Sequence, residues 1–212
     1  YSGLAAVYAG IGRMGDAQLN LEQALARLDR MTDREKYRTR GSYYLFSRKP
    51  LDAIKEYTSL VEAFPSDSTA LANIALAQFY LRNMSEAVAQ QQKAVAIFPR
   101  NVVRRNNQAL YAMYAGQFDT AITESDEVLK LNASFTKAFV ARALSELALG
   151  RPADAAKTYE KLKGLSAAGA AFSIVSSLAI ACVSSTSRAR LRSSCTISSS
   201  NSSIEAISDC GT

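Results

Sequence analysis

The sequence predicts an all-α fold, a right-handed α-solenoid in which helix-turn-helix repeats stack into a superhelix. Three observations predict it. Ala53, Ala87, Ala121 and Ala155 recur at a step of 34 residues, and a fixed period of this size with two helices per period is the signature of a repeat array. Gly41, Ala75, Ala109 and Ala143 keep the same step and mark a second set of small residues. Paired amphipathic runs of about four turns each lie between them. They are clearest over Ser68 to Asn101, where the two runs join at Arg82-Asn83-Met84 and close at Pro99.

A truncated repeat occupies residues 1–33. Leu4 to Ala17 matches the end of a first helix, a turn at Gly12-Arg13 and the start of a second helix that runs to about Arg30. Ala17 lies 36 residues before Ala53, so two extra residues sit near Met31 to Arg34. Thr32 or Asp33 there supplies a short oxygen-bearing side chain to cap the following helix. In the repeat 34–67, Pro50 stands at a first helical position, where its missing amide donor is not needed, and Pro65 ends the second helix. The repeat 68–101 is the reference unit. In 102–135, Gly116 makes the turn, and Asn132-Ala133 stands where Phe64-Pro65 and Phe98-Pro99 stand before it. In 136–169 the turn is Gly150-Arg151-Pro152.

Helical spacing explains the residue types. Positions three and four apart share a face, so Leu76, Phe79 and Tyr80 line one side of their helix, while Ala75 lies where the partner helix must come close. A large residue there would force the helices apart at a cost of about 1–3 kcal/mol. One helix pair cannot cover its own apolar face, so stacking provides the core.

Residues 170–183 form an apolar run that reads as the first helix of an incomplete repeat. It is shorter than the roughly 20 residues that span a bilayer, so it predicts no membrane span. Residues 184–212 are a Ser-rich tail, read as disordered or as coding sequence in a shifted frame. The chain opens at Tyr1 inside a helix pattern and without an initiator Met, and reads as a fragment. A cytoplasmic setting is favoured, since an extracytoplasmic one would require a membrane segment upstream.

The net charge of +6 permits an acidic partner, but Lys and Arg alternate with Asp and Glu along the array. That mixture argues for a solvated surface and against a nucleic-acid footprint. Arg100, Arg104 and Arg105 cluster near one turn and read the same way. The three cysteines, Cys182, Cys195 and Cys210, lie beyond the array, are odd in number and form no CxxC spacing. They specify neither a zinc site nor a disulfide framework. With no His at all, the chain offers no base-nucleophile pair, no metal-ligand cluster and no cofactor motif, so it reads as no enzyme; a catalytic domain would lie upstream.

The second-helix Ala residues (Ala17, Ala53, Ala87, Ala121, Ala155), the turn residues Gly12, Gly116 and Gly150, and the closing Pro65 and Pro99 resemble the tetratricopeptide repeat family over about residues 1–169. Where that family often has Trp or Leu early in the first helix, this chain has Tyr37, Leu71, Arg105 and Phe139. Arg105 is the departure. The resemblance implies that first helices line a concave face on which a protein or peptide partner binds. By the repeat frame that face carries Arg38, Thr69, Asn73, Phe79, Asn106, Asn107, Met113 and Lys137. Asn73 and Asn107 hold equivalent positions, and an Asn amide presents a peptide backbone with both a donor and an acceptor.

More narrowly, A-L-Y-A-M-Y-A-G-Q-F-D-T-A-I, with Y-L-R-N-M before it and G-R-P-A-D-A-A-K-T-Y-E after it, is similar to the carboxy-terminal repeats of bacterial eukaryotic-like serine/threonine protein kinases. That similarity implies an accessory region, because no Gly-rich phosphate loop, H-R-D or D-F-G is present. The expected function is therefore a protein-interaction scaffold. The competing readings are binding of an anionic partner or nucleic acid, and self-association through the uncapped end of the array.

Overall fold

The computed structural model describes residues 1–165. All regular structure among them is helical: α1 (Ser2–Gly10), α2 (Met14–Leu25), α3 (Asp33–Phe46), α4 (Pro50–Ala63), α5 (Ser68–Tyr80), α6 (Met84–Ile97), α7 (Val102–Tyr114), α8 (Phe118–Leu131), α9 (Thr136–Ala148) and α10 (Pro152–Leu165). The class is the all-α solenoid type. The end of the fifth repeat, the apolar run 170–183, the tail 184–212 and all three cysteines lie outside the described residues.

The described residues fall into two compact units, Tyr1–Arg104 and the part from Arg105 onward, divided within α7. In the first, α1 packs on α2, α2 on α3, α3 on α4, α4 on α5, and α5 on α6; in the second, α8 packs on α9 and α9 on α10. Within each unit these helices lean on their sequence neighbours.

Local chemistry sets the helix ends. The two extra residues before α3 are taken up by a short 3-10 turn, Leu28–Arg30. Thr32 then caps α3: its side chain accepts from the Glu35 amide while the Glu35 carboxylate accepts from the Thr32 amide, a capping box. Pro50 opens α4. After α8, where the closing Pro is missing, the Asn132 side-chain oxygen Oδ1 accepts from the Ser134 amide at 3.1 Å and turns the chain instead.

The five turns between paired helices share one backbone solution. Gly12, Arg48, Arg82, Gly116 and Gly150 all adopt the left-handed conformation, with φ of 77°, 57°, 65°, 76° and 74°. The repeat frame imposes this geometry, and glycine meets it without strain at only three of the five positions.

The small residues lie where the frame requires. Ala17, Ala53, Ala87, Ala121 and Ala155 are completely buried, as are Ala75, Ala109 and Ala143. Gly41 answers a larger neighbour, since a Cβ there would meet three ring carbons of Tyr57 at 2.7–2.8 Å. Arg105, the polar residue at an apolar position, forms a mostly buried ion pair with Glu124 of α8 at 2.7 Å. The pairing supplies the hydrogen bonds that a buried guanidinium needs.

Candidate functional site

The first-helix face of the first unit is organised by a residue that the repeat frame did not single out. Asp67 precedes α5, and its side chain is 0% exposed. One carboxylate oxygen accepts from the Ala70 amide at 3.1 Å and caps the helix. The other accepts from Arg34 Nε at 3.0 Å and from Arg38 Nη2 at 2.7 Å and Nε at 3.1 Å. Burial alone would raise this carboxyl. The Ala70 amide and the two guanidinium groups outweigh it and hold the Asp67 carboxyl below its usual range.

The arginines stay partly open while their inner edges are pinned, with side chains 46% exposed at Arg34 and 42% at Arg38. Arg34 also lies over the Phe64 ring, 5.5 Å from its centre. From the start of α7, Arg104 donates to Thr69 Oγ1 at 3.0 Å and lies 6.0 Å from the centre of Phe98. Three guanidinium groups against one carboxylate leave this edge with a formal charge of +2.

A second anchor lies in the same unit. The Tyr57 ring is completely buried against Gly41, and its hydroxyl shares a hydrogen bond with Ser42 Oγ at 3.0 Å and accepts from Asn73 Nδ2 at 2.9 Å. Burial pushes the Tyr57 hydroxyl up to about 12. Asn73 is thus oriented by a buried hydroxyl and keeps its carbonyl as an acceptor.

The eight residues expected on the binding face have different fates. Arg38, Thr69 and Asn73 are held by Asp67, Arg104 and Tyr57 within the first unit. Phe79, at 7% exposed, belongs to the packing. In the second unit Asn106 is 4% exposed, Asn107 and Met113 are half-buried, and Lys137 is exposed on the first turn of α9. The side-chain carbonyls of Asn106 and Asn107 are buried without a hydrogen-bond partner. The basic cluster read from the sequence divides: Arg104 binds Thr69, Arg105 binds Glu124, and Arg100 is exposed.

The sequence reading missed Asp67, Arg34 and Tyr57, and it took Arg104 for part of a solvated turn. Only Asp67 carries a local signal, a short acid directly before the helix S-T-A-L. Among the described residues, no group of acidic, His or Cys side chains is disposed to hold a metal ion, and no helix is long and apolar enough to cross a membrane.

No curated protein matches the chain in sequence. Solved structures of MamA share its fold. The crystal structure of MamA is 19% identical with a TM-score of 0.61, over 78% of this chain and 95% of that one. MamA MSR-1 is 21% identical with a TM-score of 0.61, over 77% and 92%, and MamA AMB-1 is 21% identical with a TM-score of 0.59, over 78% and 89%. At such identities the likeness concerns the fold alone. The family described as tetratricopeptide repeat matches residues 38–102 and 106–170, more than half of the sequence. With the helix pairs, the buried alanines and the left-handed turns in the same register, the chain belongs to the tetratricopeptide repeat family.

Proposed function

We propose that this protein-interaction scaffold binds an extended, carboxylate-bearing segment of a partner protein on the first-helix face of its first unit. The observation that carries the reading is the edge formed by Arg34, Arg38 and Arg104, with the inner sides of Arg34 and Arg38 fixed by a buried Asp67. Fixed guanidinium groups lose little rotamer freedom when a carboxylate docks, and their planar donor geometry suits that group. Asn73, steadied by Tyr57, supplies an acceptor for a backbone amide of the guest. Thr69, held by Arg104, lies on the same helix as Asn73; in the second unit, taken by itself, Asn107, Met113 and Lys137 are the candidate contacts. The resemblance of Ala109 to Ile122 to kinase accessory repeats supports a setting in which the captured protein is presented to a catalytic domain.

The test is a random peptide library panned on the full chain, followed by calorimetry of the selected peptides. They should be rich in Asp and Glu or depend on a free carboxy terminus. Arg34→Ala with Arg104→Ala should weaken them about tenfold or more, and added salt should weaken them as well. Selection of neutral peptides that ignore both arginines would refute the reading.

A further inference from the structure

The second unit contains a cleft that the chain fills for itself, and the first unit contains the same cleft unfilled. In the first unit, α4 and α6 form two walls over α5, enclosing a trough of about 610 Å³. Ile54 and Val61 line one wall, Ile97 the other, and Leu71 and Ile74 the floor. These floor residues lie on the side of α5 away from Thr69 and Asn73, about half a turn around the helix. The trough is therefore separate from the face proposed above.

Its counterpart, walled by α8 and α10 over α9, measures about 260 Å³. It is lined by Leu129, Ala133, Phe139, Arg142, Thr158 and Lys161, each two repeat periods after a residue of the first trough. There Arg142 forms ion pairs with Asp126 and Glu146, and Thr158 Oγ1 donates to the buried Glu146 carboxylate at 2.8 Å. The corresponding residues of the first unit are Thr58, Ile74, Gln78 and Gln90, none of them charged. An internal ionic network occupies one trough; the other keeps an uncharged floor of Leu71 and Ile74, packed down to 4% and 6% exposure, between the half-buried Ile54, Val61 and Ile97.

We propose that the α4–α5–α6 trough docks an amphipathic helix of a partner protein, about three turns long, with an apolar stripe and basic residues on its flanks. The walls settle helix over strand. Ile54, Thr58 and Val61, and across from them Glu86, Gln90, Lys93 and Ile97, follow helical spacing over roughly 16 Å. The mid-helix wall residues Ile54, Thr58, Gln90 and Lys93 lie where backbone groups are already paired within their helices, so an extended guest would find few main-chain partners, whereas a helix satisfies its own. The rim sets the charge of the guest. Glu62 and Glu86 are exposed on it against the single cation Lys93, which selects a basic helix.

The experiment uses the full chain with labelled Ile methyl groups and a synthetic three-turn helical peptide with Leu at i, i+4 and i+7 and flanking Lys, beside a twin with Glu for Lys. The Lys peptide should shift the Ile54, Ile74 and Ile97 methyl signals, leave Ile122 of α8 unmoved, and bind about tenfold more tightly than its twin. Transplanting the second unit's filling as Thr58→Asp, Ile74→Arg and Gln78→Glu should close the trough and weaken the Lys peptide about tenfold or more, with helicity retained. Should that variant fail to fold, Glu62→Lys with Glu86→Lys, both on exposed sites, should reverse the preference between the peptides. No binding of the Lys peptide, equal binding of the twins, or indifference to whichever variant folds would overturn the proposal.

Discussion

Tyr57 shows how one side chain ties packing to polar order. Its ring needs the space that Gly41 leaves, and its hydroxyl aligns Ser42 and Asn73. The same burial makes the residue a reporter of alkaline pH. With the phenol at about 12 in the folded chain and near 10 when unfolded, the neutral form is favoured by folding. Its contribution is therefore complete below about pH 10 and lost as pH rises towards 12, a change of about 3 kcal/mol. In urea unfolding across this range, Tyr57→Phe should be less stable than the wild type at pH 8, by about 1 kcal/mol for the lost hydrogen bonds. The gap should then close or invert above pH 10; parallel curves would show that the phenol does not titrate as its burial requires. None of this was legible locally. A Tyr in an amphipathic run reads as packing, and its bond to Asn73 exists only once α4 and α5 are side by side. Asp67 differs, because its cap role follows from its place before the helix, whereas Arg34 and Arg38 reach it from a whole repeat earlier.

At the scale of the element, the five left-handed turns are the feature that the sequence half disclosed. Gly12, Gly116 and Gly150 announce them, while Arg48 and Arg82 adopt the same backbone against their own preference. A side chain in this conformation costs about 1 kcal/mol. Gly116→Ala, with open space around the added methyl, should therefore destabilise by about 1 kcal/mol through backbone strain alone. Arg82→Gly should be neutral or slightly stabilising, since relief of strain is offset by the greater freedom of unfolded glycine. Chemical denaturation of the two variants checks the pair, and a stable Gly116→Ala protein would contradict the turn geometry. Helix order and capping were otherwise readable because they depend on neighbours within four residues. The Thr32–Glu35 box and the Pro50 start are instances.

Across the whole molecule, the described helices pack chiefly on their neighbours in sequence, so stability should be regional. Gly41→Ala, which drives a methyl into the Tyr57 ring, should cost about 1–3 kcal/mol in the α3–α4 region. Hydrogen exchange should reveal faster opening of α3 and α4 with α8 to α10 nearly unchanged; uniform loss of protection would mean a single cooperative core. The overall class was legible for the same reason, since a period survives wherever each repeat solves the same packing problem. The candidate binding residues were less so. The frame locates a position on a face, but whether Arg38 is free or held by Asp67 depends on side chains that the frame does not constrain.

The paired troughs show what such a frame permits. Because the alanines that set helix spacing are distinct from the residues that line the troughs, three exchanges distinguish a sealed surface from an unsealed one while those alanines stay in place. A chain of this design can acquire or retire a contact one module at a time, and the instructions for doing so are already written elsewhere along its own length.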